Sequence, residues 1–107
     1  MRMHWAVLAV SLISSGAALA DDAADNWKAK CKSCHGEDGK AHTRMGQKEK
    51  IADFTSPEWQ KHNSDDSIRD VIANGSKENA KMKAFKERLS PEEIDGLVKY
   101  IRGMNKP

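Results

Sequence analysis

The clearest periodic pattern lies near the C-terminal end of the chain. Ile94, Leu97, Val98 and Ile101 recur at intervals of three and four residues, which puts them on one face of a helix. Ser90-Pro91-Glu92-Glu93 stands in front of them as a start signal, with serine to cap, proline in the first turn and glutamate at the third position. A helix is therefore predicted from this signal to about Met104. Gly96 inside it costs about 1 kcal/mol relative to alanine, so a close neighbour is expected there. A second stripe, Ile68, Val71 and Ile72, follows the cap Ser64 and the first-turn acids Asp65 and Asp66, and Gly75 ends it. A third pattern opens the domain. Ala23, Trp27 and Cys31 lie four apart on one face, behind acids at 21, 22 and 25 that suit the positive end of a helix running to about Lys32. That face is expected to pack on the C-terminal helix near Gly96 and Tyr100.

The rest is less regular. Gly36, Gly39 and Gly46 interrupt any period, so 36–63 is expected to be largely loop. Within it Gln47 to Phe54 can form a short helix. Thr55-Ser56-Pro57-Glu58 reads as a cap followed by proline, opening a turn through Trp59. Trp59 either covers a pocket or offers its indole N–H to an acidic group inside one. Residues 76–89 form a lysine-rich loop. No strand pattern and no repeat is evident. The fold class is all-α, with three to five short helices.

Residues 1–20 carry a different pattern. Arg2 is followed by a mainly apolar run from Trp5 to Ile13 and by Ala18-Leu19-Ala20, a small-x-small site. This is the form of a secretory signal peptide, with cleavage expected after Ala20 and delivery to the periplasm. The apolar run is shorter than the roughly 20 residues that span a bilayer; retention as an uncleaved anchor is the minor alternative. The domain is then 21–107. The signal holds one base and no acid, so the formal charge of +2 for all 107 residues falls to +1. A near-neutral domain gives no reason to expect nucleic acid as a partner. Mean hydropathy is −0.75, and so small and polar a chain buries little core and usually needs a staple.

Candidate chemistry supplies one. The two cysteines of the chain lie in Cys31-Lys32-Ser33-Cys34-His35. C-x-x-C-H is the attachment signature of a c-type haem. The spacing sets both sulfurs on one side of a helical turn, within reach of the two vinyl groups of one porphyrin, and aims the histidine at the iron. The same cysteines also admit a dithiol redox pair, a structural disulfide or half of a zinc site that recruits His42 or His62. Met82, alone in a hydrophilic loop, is the candidate for the far side of the iron, with Met45 and Met104 as rivals.

Taken in order, these features resemble the small monohaem class I c-type cytochromes of bacteria. The resemblance rests on Trp27 four residues before the first cysteine, Cys31-x-x-Cys34-His35-Gly36, and Met82-x-Ala84-Phe85. Leu89-Ser90-Pro91-Glu92-Glu93-Ile94 and Tyr100-Ile101-Arg102 complete it. It implies a cytochrome c fold wrapped around one covalent haem c. Cys31 and Cys34 would be the attachment points, and His35 and Met82 the iron ligands. It further implies an electron carrier, not an enzyme. A subunit of a larger oxidoreductase is the alternative, as is a haem peroxidase or ligand sensor if Met82 does not ligate. Two departures stand out. Lys83 follows the methionine where the family usually has proline, which predicts a loose loop. Ala52-Asp53-Phe54 stands where a proline whose carbonyl orients the histidine would be sought. Lys28, Lys30, Lys32, Lys77, Lys81, Lys83 and Lys86 flank the two ligand segments. They are expected to form a basic ring that steers a monomeric carrier to an acidic patch on a redox partner.

Overall fold

The computed structural model describes residues 22–106; the signal segment and Asp21 lie outside them. Five helical stretches carry the described residues, and there is no strand among them. Helix α1 covers 22–35 in three parts: α-helical 22–26, a π-helical turn Trp27–Cys31 and α-helical Lys32–His35. Then come α2 (Arg44–Lys48), α3 (Pro57–His62), α4 (Asp65–Asn74) and α5 (Pro91–Arg102).

The capping residues do what their side chains allow. Ser56 accepts from Trp59 N–H, Ser64 from Ser67 N–H and Ser90 from Glu93 N–H. Ser90 and Glu93 form a complete capping box. Helix α2 is the exception to the expected pattern. The helix expected over 47–54 lies instead at Arg44–Lys48, because Thr43 caps it by accepting from Gly46 N–H at 2.8 Å. It cannot run on, since Lys50 takes φ +54°, a left-handed conformation.

Helices α4 and α5 pack together, and the core they share is Ile68, Ile72, Leu97, Val98 and Ile101 with Trp27, Phe85, Leu89, Ile94 and Met104. Helix α1 meets α5 as its spacing implies. Asn26 donates to the Glu93 carboxylate at 3.3 Å, and the rings of Trp27 and Tyr100 lie 5.6 Å apart. Gly96, buried, sits between these two contact residues along α5. Arg102 pins the end of α5 to α3, binding the backbone and side-chain oxygens of Gln60 at 2.7 and 2.9 Å, the Asn63 carbonyl and Asp65. The helices thus leave a hollow between α1 on one side and the 76–89 loop on the other.

Candidate functional site

The near wall of the hollow is built by α1 and the turn after it. The π turn closes when Lys32 N–H donates to the Trp27 carbonyl, five residues back. Such wide turns often occur at functional sites; here it delivers Cys31, and the α-helical turn that follows delivers Cys34 and His35. Trp27 is 1% exposed and donates its indole N–H to the Gly36 carbonyl at 3.0 Å, fixing the end of the motif. Next, the Thr43 hydroxyl donates to the Cys34 carbonyl at 2.6 Å, and Ala41 N–H to the His35 carbonyl at 2.8 Å. Gly46 lies so close to this turn that a Cβ there would collide with the Ala41 carbonyl and come within 2.9 Å of the Cys34 carbonyl. Helix α2 is therefore fastened to the cysteine motif.

His35 is held by aromatic contact. Phe54 stacks on it at 4.7 Å and 26°, Trp27 lies 5.8 Å away, and Trp59 packs on the far side of Phe54 at 4.3 Å. The Nδ1 atom is buried without a hydrogen-bond partner. The stretch where a proline carbonyl was sought instead supplies an aromatic ring, and no acceptor for Nδ1 is present among the described residues. Burial pushes the imidazole pKa down to about 4, so the ring is neutral at physiological pH, the state in which it binds metals.

The cysteine chemistry narrows the alternatives. Burial pushes the Cys31 thiol up to about 11, against the opposing pull of Lys30. A reactive dithiol or a thiolate metal ligand needs a shift the other way. Among the described residues no three His, Cys, Asp or Glu side chains converge as a metal site, and His42 and His62 are exposed.

Two cavities of about 630 and 200 Å³ occupy the hollow, and Cys31, His35, Val71, Met82 and Phe85 line both. The larger volume falls within the range of about 300–1,000 Å³ usual for ligand pockets. Cys34 and Met45 face the larger one; Trp59, Phe54 and Ile68 close the smaller. Met104 faces neither: it is buried in the core, with its sulfur against Gly39. Two thiols, a neutral buried imidazole, and thioether sulfurs around one space are the donor set of a covalent haem.

Comparison with known proteins agrees. Residues 18–101 match the family described as cytochrome C oxidase, cbb3-type, subunit III. The chain belongs to this family of c-type cytochromes. Among solved structures it is similar to the KustC0563 c-type cytochrome, with 39% identity and a TM-score of 0.72 over 79% of this chain and 99% of that one. It is similar also to a mutant of Kustc0563, at 38% identity and a TM-score of 0.69 over 78% and 99% of the two chains. No curated protein matches. The protein is a small class I c-type cytochrome with covalently bound haem c and its iron, and it serves haem-based electron transfer between redox partners, the general role of the family. No described helix is long and apolar enough to cross a membrane.

The far wall of this cytochrome is a loop tied by hydrogen bonds. Ser76 Oγ accepts from Glu78 and Asn79 N–H, both at 3.1 Å. Met82 N–H donates to the Asn79 carbonyl, and Ser76 N–H to the Met82 carbonyl, again at 3.1 Å. Gly75, at φ +85°, runs so near this strap that a Cβ would come within 2.9 Å of the Met82 carbonyl. The loop is knitted by its own turns despite Lys83. Basic side chains from several segments border the cavity. Of the seven lysines, Lys30, Lys81 and Lys83 line the larger cavity, joined by Lys50 and Arg88, which spacing alone did not reveal. Lys81 is paired with Glu49 at 2.8 Å, and Lys86 lines a separate groove beside Leu89 and Ile94.

Proposed function

We propose that the protein is an exported, periplasmic one-electron carrier whose haem c is attached through Cys31 and Cys34 and ligated by His35 and Met82. The observation that carries this reading is the single hollow onto which Cys31, Cys34, His35 and Met82 all face. Each thiol would add across a vinyl group, sulfur to one carbon and hydrogen to the other, with nothing lost and no change of oxidation state. Bound there, the haem supplies an iron that alternates between ferrous and ferric. His35, neutral and stacked on Phe54, would hold one axial position. Met82 would hold the other and favour the ferrous state, because a thioether is a soft ligand. With both positions filled, oxygen and substrates find no open site, so the protein moves electrons and performs no bond chemistry. Trp59, Phe54 and Ile68 keep water from the inner edge.

Lys30, Lys50, Lys83 and Arg88, all exposed beside the larger cavity, would form the docking face of this monomeric carrier for an acidic patch on the partner. The export signal at 1–20 supports the compartment.

The visible spectrum of the purified protein tests the core of the reading. A six-coordinate low-spin haem in both oxidation states, refractory to carbon monoxide in the wild type but open in Met82→Ala, is expected. Carbon monoxide binding opened by Met45→Ala and not by Met82→Ala would contradict it. For the docking face, electron transfer to an acidic redox protein should slow as salt rises and slow again in Lys83→Glu; a rate indifferent to both would remove the face from the account.

A further inference from the structure

The side chain that bridges the two walls of the hollow is Glu49. It follows α2 directly, and α2 is fastened to the cysteine motif through Thr43 and Gly46. From that base its carboxylate reaches the loop that carries Met82 and uses both oxygens. Asn79 Nδ2 donates to Oε1 at 3.0 Å, and Lys81 Nζ donates to Oε2 at 2.8 Å. Asn79 is the hub of that loop. Its carbonyl accepts from Met82 N–H, and its side-chain oxygen accepts from Lys81 N–H at 2.9 Å. A path therefore runs from the scaffold of His35 to the backbone of Met82: along the chain from α2 to Glu49, then by hydrogen bonds from Glu49 to Asn79 and from Asn79 to Met82.

An exposed ion pair by itself contributes little. This one differs in two respects. The Glu49 side chain is only 17% exposed, so its contacts are less screened than those of a free surface pair. Its two partners belong to one short loop some thirty residues away, so the contact closes a long span and does not merely decorate a helix. Lys81 is accordingly removed from the docking face and given to the latch.

We infer that Glu49 is a positioning residue that latches the Met82 loop across the cavity and so keeps the sixth position of the iron closed to outside ligands. The inference rests on Met82 as the ligand. It makes the difference between a closed carrier and a ligand-binding haem depend on one carboxylate that touches neither the iron nor the cysteines.

The test is the association of carbon monoxide with the ferrous, haem-loaded protein, followed by flow mixing, with the reduction potential measured on the same samples. Glu49→Ala should speed carbon monoxide association roughly tenfold, the factor that corresponds to losing a charge-assisted hydrogen bond, and should shift the potential. Asn79→Ala should do the same, and the double variant should add little to either. Glu49→Gln, which keeps the shape and part of the bonding, should fall between. Asp66→Ala, which breaks the exposed pair with Arg69 within α4, should leave the rate unchanged. In Met82→Ala association should be fast whatever stands at position 49. Wild-type rates in Glu49→Ala beside a fast Met82→Ala would overturn the latch alone. A wild-type rate in Met82→Ala would overturn the ligation, and the latch with it. Equal acceleration by Asp66→Ala would reduce the effect to general loosening and also overturn the latch.

Discussion

The two walls of the haem cavity are held by different physics. On the proximal wall Trp27 is buried to 1%, Gly46 presses on the Cys34 carbonyl, and His35 is stacked on Phe54 with Trp27 tilted beside it. On the distal wall Lys81 and Lys83 are exposed, Met82 is partly buried, and the loop keeps its shape through Ser76, Asn79 and Glu49. Packing is dense and unforgiving, whereas exposed polar contacts are individually weak and screened by salt. A c-type cytochrome needs its attachment side fixed once, during maturation. On the proposed ligation, the Met82 side needs only to stay closed in use, and a few polar contacts suffice for that.

The contrast breaks most visibly at Trp27. Trp27→Ala removes the largest fully buried side chain together with its hydrogen bond to Gly36. It should cost about 3–5 kcal/mol in chemical denaturation of the haem-loaded protein. A loss below about 0.5 kcal/mol, the range of an ordinary surface change, would show that the proximal wall does not depend on packing.

A much smaller effect is expected across the cavity. Lys81→Ala removes one exposed partner of Glu49, and by the usual yield of such pairs it should change global stability by no more than about 1 kcal/mol. Methionine-loop opening should respond more than global unfolding does. A loss equal to that of Trp27→Ala would erase the distinction between the walls.

The smallest effect concerns pH. Glu93 is held below the usual carboxylate range chiefly by the Ser90 backbone N–H, then by Asn26. A carboxyl lowered in the folded state stabilises above its unfolded pKa, and that contribution disappears as pH falls through the folded value. The proximal contact between α1 and α5 should therefore weaken on the acid side. Glu93→Gln should flatten the decline of the melting temperature between neutral and acidic pH. An unchanged profile would mean that the capping box contributes nothing through its charge.

What the sequence made legible follows the same divide. Helices α3, α4 and α5 announce themselves through Ser56, Ser64 and Ser90, because a cap and the residue it serves are three apart and read locally. Trp27 facing α5 followed from spacing of four. Helix α2 was displaced because its cap, Thr43, sits among glycines that mask any period, and because nothing in Lys50 signals a left-handed backbone. Phe54 stacking on His35, and Glu49 reaching Asn79 and Lys81, join residues roughly twenty to thirty positions apart. Such pairings appear only once the chain is folded. The same holds for Lys50 and Arg88, brought beside the cavity by turns, while Lys86, near in sequence to Met82, is carried to another groove.

The most direct measurement of the central claim is the NMR spectrum of the reduced protein with 13C-labelled methionine methyl groups. A methyl bound over the porphyrin face lies in the ring current and moves far upfield of ordinary methionine methyls. One such resonance is predicted in the wild type, absent in Met82→Ala and retained in Met45→Ala. Its loss in Met45→Ala with retention in Met82→Ala, or the absence of any upfield methionine methyl, would contradict the account.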